Sequence, residues 1–259
     1  MNETILTPEK LYISTIAEDD TRLAQQYGLG LEIAEYCTAW NMDEFFDETD
    51  VTVRRKMACT DHYTFHACFN ELHPSAIDKK ALQLAHDRYL QAVTLAYEHY
   101  KIRKIIVHSG FVPLIYFPSW FEERSIIFWK DLLKELPENI ELCYENVMED
   151  EPFMQLHVVE GVNDPRFGFC FDVGHASAVQ KELKEMEWLH AWAPYIKHFH
   201  IHNNFGERDT HNALNEGRIP MKEFLYEAVK CCPDATFAIE NSQAEASVRF
   251  LMDEKLLTV

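Results

Sequence analysis

The sequence of 259 residues contains few of the residues that interrupt regular structure, with only 8 glycines and 10 prolines. No low-complexity tract and no Ser/Gly-rich linker divides it. It also lacks a signal peptide and the run of about 20 apolar residues that a membrane-spanning helix requires. These absences predict a soluble, cytoplasmic protein in which residues 1–259 form one domain.

Cysteines occur without pattern. The seven are an odd number, and no two form a CxxC pair. A disulfide framework is therefore not indicated, and neither is a zinc ribbon built on paired cysteines. We expect the thiols to be small buried hydrophobic side chains in a reducing compartment.

Positive charge is scarce: the chain has 24 Lys and Arg but 43 Asp and Glu, which gives a formal net charge of −19. A surface of this sign repels a phosphate backbone unless bound cations or a local basic patch reverse the field. Tight binding to duplex DNA is therefore doubtful, and we expect a small-molecule or small phosphoester substrate.

Eight predicted strands alternate with helices, and no hairpin signal separates them. This alternation over about 250 residues is typical of a single (β/α)8 TIM barrel. A doubly wound open sheet is the alternative, but no glycine-rich phosphate loop follows the first strand. Among the helices, we expect one continuous segment over 176–192. The predicted strands cover 10–14, 30–34, 63–67, 104–108, 140–145, 167–172, 196–202 and 236–240.

Potential metal ligands follow the third and all later strands. One histidine at a strand end is more often a hydrogen-bonded core residue, but six successive strand ends are hard to explain in that way. Because strand carboxyl ends share one face of such a barrel, these side chains should converge. Mixed imidazole and carboxylate donors suit zinc, manganese or iron. The strand-end candidates are His66, His108, Glu145, Asp172, His200 and Glu240, and the following turns add His175, Asp209 and His211.

The seventh strand carries three histidines on one face by its period of two. We expect His200 to be the ligand, although His198 or His202 could take its place.

The segments that carry these residues resemble the xylose isomerase-like barrel superfamily, and their ligand set is most similar to that of endonuclease IV. The matching motifs are His66-Ala67, His108-Ser109-Gly110, Glu145-Asn146, Cys170 to His175, His200 to Asn203, Asp209-Thr210-His211 with Asn215-Glu216-Gly217, and Glu240. The resemblance implies up to three zinc ions held by all nine candidates. It also implies a metal-dependent phosphoesterase, with Glu145 and Glu240 as catalytic carboxylates, acting on a small or single-stranded phosphoester.

Some positions depart from the family pattern. An acidic stretch, Val147 to Asp150, replaces a glycine-containing motif, Asn203 replaces an aspartate, and basic residues are missing from the loop after strand seven. These departures make duplex DNA a doubtful substrate.

Sugar isomerases and epimerases of the same superfamily resemble the chain at a smaller set of residues: Glu145, Asp172, His200 and Glu240. This alternative implies one divalent metal such as manganese, with Glu145 and Glu240 shuttling a proton.

Three residues are candidates for substrate contacts. Arg208 and Arg218 flank the Asp209 loop and could bind a phosphate, and Trp120 could stack on a sugar or a base.

Overall fold

A computed structural model describes residues 6–180 and 184–258. Its eight parallel strands close into a barrel in chain order, from β1 to β8 and back to β1, which confirms the predicted (β/α)8 fold. The strands are β1 (Leu11–Ser14), β2 (Gly30–Ile33), β3 (Tyr63–His66), β4 (Lys104–His108), β5 (Glu141–Glu145), β6 (Phe167–Asp172), β7 (Ile196–Ile201) and β8 (Thr236–Ile239).

Helices surround the barrel. In the described residues they are α1 (Asp20–Tyr27), α2 (Phe46–Met57), α3 (Lys79–Thr94), α4 (Pro118–Glu135), α5 (Phe153–Val162), α6 (Val173–Val179), α7 (Glu185–Trp192), α8 (Met221–Cys231) and α9 (Glu245–Asp253). A π-helical turn, Leu95–His99, extends α3.

The expectation of one helix over 176–192 is wrong. Helix α6 ends at Val179, because Gln180 adopts an extended backbone with ψ 144°. Helix α7 then begins with its own capping box, in which the Glu187 side chain accepts from the backbone N–H of Lys184. Residues 181–183 of the predicted helix lie outside the described part of the chain.

The two faces of each strand have different surroundings, and β6 illustrates this. Phe169 stacks on Trp192 with ring centroids 3.9 Å apart, and Phe171 stacks on Trp188 at 6.2 Å. Alternate residues Cys170 and Asp172 therefore point to the barrel interior. The main core fills the layer between the strands and the helices.

The register of strand pairing determines which strand-end residues lie side by side. Asp172 is the Cα partner of His200 on β7, and His108 is the partner of Glu145 on β5. Side chains at these positions therefore reach the same end of the barrel. Among the described residues, no helix combines the length and the apolar composition needed to cross a membrane.

Candidate metal centre

Glu145 lies at the middle of the cluster and is 1% exposed. Its Oε2 lies 3.2 Å from His66 Nε2 and 3.1 Å from His108 Nε2. Its Oε1 lies 3.1 Å from His200 Nδ1 and 3.4 Å from His175 Nδ1. One carboxylate thus contacts imidazoles from β3, β4, β7 and the turn after β6.

His200 on β7 is surrounded by carboxylates from β5, from β6 and from the residue that follows β8. Its Nδ1 lies 3.1 Å from Glu145 Oε1, 3.5 Å from Glu240 Oε2 and 3.7 Å from Asp172 Oδ2. The ring is fully buried. These four side chains form a compact set of donors, which we call the inner group.

A second set of donors, the outer group, lies towards the mouth. Asp209 joins its members, since Asp209 Oδ2 lies 3.1 Å from His175 Nε2 and 2.9 Å from His211 Nε2. His202 stacks on His211 with ring centroids 3.9 Å apart, and its Nε2 lies 3.1 Å from Asp172 Oδ1. Ligand atoms of His175, His202, Asp209 and His211 can all lie within 4.8 Å of one another.

The turn after β6 holds two of these side chains in place. Asp172 caps α6 by accepting the backbone N–H of His175 at 2.6 Å. The Asn146 side chain donates to the Asp172 carbonyl and accepts from its backbone N–H, at 2.8 and 2.9 Å. Gly174 is required here, because a Cβ would come within 1.9 Å of the His202 ring.

The loop after β7 is fixed from two directions. Asn203 forms a backbone bridge with Asn212 and donates its side-chain amide to Leu214 O at 2.9 Å. Arg218 donates from Nε to Ser177 Oγ at 3.0 Å. These contacts present Asp209 and His211 to the cluster.

The surroundings of the two inner-group glutamates shift their pKa values in opposite directions. Burial favours the neutral form of Glu145, but the charges of His200 and His108 outweigh it and hold its pKa well below the usual value. Burial raises the pKa of Glu240; His200 opposes this effect, whereas Glu145 and Glu32 add to it. The cluster therefore makes Glu145 a stronger acid than a free glutamate and Glu240 a weaker one.

In the outer group, Asp209 and His211 shift each other's pKa in opposite directions. Burial opposes ionisation of Asp209, but hydrogen bonds from His175 and His211 lower its pKa. Burial also opposes a charge on His211, yet the hydrogen bond to Asp209 raises its pKa to about 9. A bound cation would compete with the protons on these imidazoles.

Two buried nitrogens in the cluster fit a metal better than they fit the protein alone. His108 Nε2 and His202 Nδ1 are buried and make no well-aligned hydrogen bond, although carboxylate oxygens lie 3.1 and 3.6 Å away. Unpaired buried polar atoms are costly, and imidazole with carboxylate is a donor set that zinc and manganese accept. The residues present therefore fit a divalent ion.

All nine predicted ligands lie in this cluster, although their roles as ligands remain predictions. From the sequence, His200 is the expected ligand on β7, with His198 and His202 as alternatives. In the structure His200 belongs to the inner group and His202 to the outer group. His198 lies deeper, 3.0 Å from Glu32.

Two buried glutamates were missed. Glu32 on β2 lies 3.0 Å from His200 Nε2; its only signal was a charged residue at an inward position of a short apolar strand. Glu149 belongs to the acidic stretch after Glu145. It accepts from the backbone N–H of Val147 at 2.8 Å and from the Ser109 hydroxyl, so this stretch stiffens the loop between β5 and α5.

The predicted substrate contacts have different surroundings. Two nitrogens of the Arg218 guanidinium donate to Ser177: Nε to the Ser177 hydroxyl and Nη2 to the Ser177 carbonyl. Arg208 is exposed on the Asp209 loop. Trp120 lies in the first turn of α4 and is 42% exposed.

A groove of about 750 Å³ is formed by the loops that follow β4 and β5 and by the end of α6. It is lined mainly by residues 111 and 113–118, with Met148, Asp150 and Val179. The two loops begin after His108 and Glu145, but none of the nine predicted ligands lines the groove.

Comparison with protein families identifies the superfamily. Residues 24–230 match the sequence profile described as xylose isomerase-like TIM barrel. A curated relative, the uncharacterized protein MJ1311 of Methanocaldococcus jannaschii, is 25% identical over 194 residues. That match covers 71% of this chain and 66% of the relative, just under two thirds of its length.

Solved structures share the fold over nearly the whole chain. A D-tagatose 3-epimerase-like protein superposes with a TM-score of 0.74 at 21% identity, covering 96% of this chain and 97% of its own. The TTHB071 protein of Thermus thermophilus, from crystals soaked with ZnCl2, gives 0.72 at 22% identity, with 95% and 98% covered. A D-psicose 3-epimerase of Clostridium cellulolyticum H10, solved with D-tagatose, gives 0.70 at 15% identity, with 93% and 88% covered.

Proposed function

The chain belongs to the xylose isomerase-like TIM barrel family, and on that premise we propose that it is a divalent-metal-dependent isomerase or epimerase of a sugar or a similar polyhydroxylated ketone. The epimerases among the solved structures with this fold support the proposal over the phosphoesterase interpretation of the sequence.

One observation carries the proposal. Three carboxylates from β5, β6 and the end of β8 surround His200 Nδ1 at 3.1 to 3.7 Å. Glu145, Asp172, His200 and Glu240 can therefore hold one divalent ion. Two of these four side chains, Glu145 and Glu240, are glutamates that can also transfer a proton. A bound ion would polarise the carbonyl oxygen and a neighbouring hydroxyl of the substrate.

The two glutamates are suited to opposite halves of a proton transfer. Ionised Glu145 accepts the proton from the carbon next to the carbonyl, and the electron pair of the C–H bond moves towards the carbonyl oxygen. Glu240, whose pKa is raised, supplies a proton to the opposite face of the same carbon, and the carbonyl re-forms. The separation of their pKa values favours these assignments.

The mouth of the barrel fits a neutral polyol better than an anion. Arg218 is held by Ser177, and four carboxylates, Glu145, Asp172, Asp209 and Glu240, already lie in the cluster. The outer group offers imidazole and carboxylate contacts to several hydroxyl groups. A phosphate, in contrast, would depend on Arg208 and on bound metal alone.

Solvent exchange tests the proposal. A panel of ketohexoses and ketopentoses is incubated in D2O with the protein loaded with manganese, and NMR follows the carbon next to the carbonyl. We expect deuterium to enter the epimerised product, because Glu240 takes its proton from solvent.

Glu145→Gln and Glu240→Gln should each slow the reaction by about 10²- to 10⁴-fold, the usual contribution of a general acid or base. Glu138→Gln, at an exposed position before β5, is the matched control and should retain full exchange. Absence of exchange with every ketose, in a protein that binds manganese, would contradict the proposal.

A second candidate function is that of a multi-zinc phosphoesterase. The observation that favours it is that Glu145 contacts two different sets of histidines. Its Oε2 faces His66 and His108, while the outer group provides a further set of donors. This arrangement could hold more than one ion. Hydrolysis of a small phosphodiester by the zinc-loaded protein, without ketose turnover, would favour this candidate.

A further inference from the structure

The barrel interior beneath the metal centre is polar, although inward-facing residues of such barrels are usually bulky and apolar. Glu32, Thr64, His198 and His200 are all fully buried there. Burying a carboxylate is costly unless hydrogen bonds and charge compensate it. The contacts of Glu32 should therefore explain why a charged residue lies at this depth.

One oxygen of Glu32 is held by two side chains. Oε2 accepts from Thr64 Oγ1 at 2.9 Å and pairs with His198 Nε2 at 3.0 Å. Since a carboxylate only accepts, His198 donates from Nε2. Its Nδ1 is then free to accept from Thr236 Oγ1 at 2.6 Å.

The hydrogen bonds that lead to Glu32 begin at Lys104, at the start of β4. Lys104 Nζ donates to Thr236 Oγ1 at 3.1 Å and to Lys197 O at 2.9 Å. An ammonium group only donates, so the Thr236 hydroxyl passes its own hydrogen to His198. The chain of contacts ends on Glu32 as a hydrogen-bond acceptor and keeps the carboxylate in one orientation.

The other oxygen of Glu32 faces the metal centre. Oε1 lies 3.0 Å from His200 Nε2. Neither atom has a well-aligned hydrogen bond, and both are buried. A small turn of the imidazole would satisfy both atoms at once.

We infer that Glu32 is a positioning residue, which holds the His200 proton on Nε2 so that Nδ1 presents its lone pair to the metal between Glu145, Asp172 and Glu240. This inference rests on the metal site of the proposed function. Carboxylates that orient a histidine in this way usually change metal affinity by 10- to 100-fold when they are replaced. An amide at position 32 could meet the Nε2 proton with its own NH2 group.

Metal affinity tests the inference without relying on activity. Zinc binding by the wild type and by Glu32→Gln is measured by competition with a chelating dye. We expect binding to the variant to be about 10- to 100-fold weaker. Thr64→Val is the matched control, because it changes the same buried network but leaves the carboxylate facing His200, and it should alter the affinity by a few-fold at most.

Melting of the metal-free proteins separates positioning from folding. A residue with only a structural role would lower the melting temperature of metal-free Glu32→Gln and leave its zinc affinity unchanged. That result would overturn the inference while the proposed function stood. Failure of the wild type to bind zinc or manganese would overturn both.

A crystal of the wild type soaked in zinc gives a second test that does not depend on the variant folding. We expect the ion on Nδ1 of His200 and Nε2 within hydrogen-bond distance of Glu32. An ion on Nε2 would contradict the inference.

Discussion

Replacing Asp172 with asparagine should destabilise the metal-free protein, whereas the conversion of Glu240 to glutamine should not. Burial opposes ionisation of Asp172, but the charges of His175 and His202 outweigh it and hold its pKa well below the usual value. Burial raises the pKa of Glu240. Two buried carboxylates of one cluster therefore contribute to stability with opposite signs.

The magnitude follows from the contacts of Asp172. Its Oδ1 accepts the backbone N–H of His175 at 2.6 Å, which an asparagine oxygen can still do. His202 Nε2 lies 3.2 Å from Oδ2 and 3.1 Å from Oδ1, so in the variant it keeps a neutral amide oxygen and loses its contact with a charged carboxylate. Losing one charge-assisted hydrogen bond costs about 2 kcal/mol. For a chain of this size we expect the melting temperature to fall by about 4–8 °C.

The pH dependence has a definite sign. A carboxyl with a lowered folded-state pKa stabilises the protein above its unfolded pKa, near 4 for aspartate, and that stability is lost as the pH falls further. The difference between Asp172→Asn and the wild type should therefore shrink below about pH 4. Glu240, with its raised pKa, costs stability once the pH exceeds its unfolded value, so Glu240→Gln removes a cost at pH 7.

Differential scanning calorimetry after dialysis against EDTA measures both variants at pH 7. An Asp172→Asn protein as stable as the wild type, or a Glu240→Gln protein less stable than Asp172→Asn, would refute this electrostatic reasoning.

Three further predictions concern the surroundings of the site. Gly174→Ala should push the His202 ring from its place and cost about 1–3 kcal/mol in urea unfolding, because the new Cβ would overlap the ring; wild-type stability would mean that the turn adapts freely. Glu149→Ala should cost at least about 2 kcal/mol in the same assay, since the Val147 N–H and the Ser109 hydroxyl lose a buried acceptor. A Glu149→Gln variant should recover part of that loss. Duplex DNA should not bind at physiological salt, because non-specific binding relies on several phosphate contacts and the net charge is −19; a tight complex in a gel-shift assay would show that bound metal reverses the field.

The barrel was predictable because its strands have a simple signature. β4 and β6 are apolar runs bounded by polar residues, and each is followed by a helical pattern. The break between α6 and α7 was not visible, because the lysines and glutamates near position 182 are as compatible with a helix as with a loop.

The cluster was predictable where its residues end strands, since strand ends meet at one face. Glu32 could not be found in this way, because it lies in the middle of its strand and acts on the site from below. His202 was recognised only as an alternative to His200. A single strand can contribute both residues, one to each group, and period two alone does not reveal this.

The metal content of protein purified without chelator tests the central claim most directly. Inductively coupled plasma mass spectrometry should find one divalent ion per chain, and Asp172→Asn should lose it. Three zinc ions per chain would contradict the account and favour the phosphoesterase candidate. A protein that holds no metal and takes up neither zinc nor manganese would exclude both candidates.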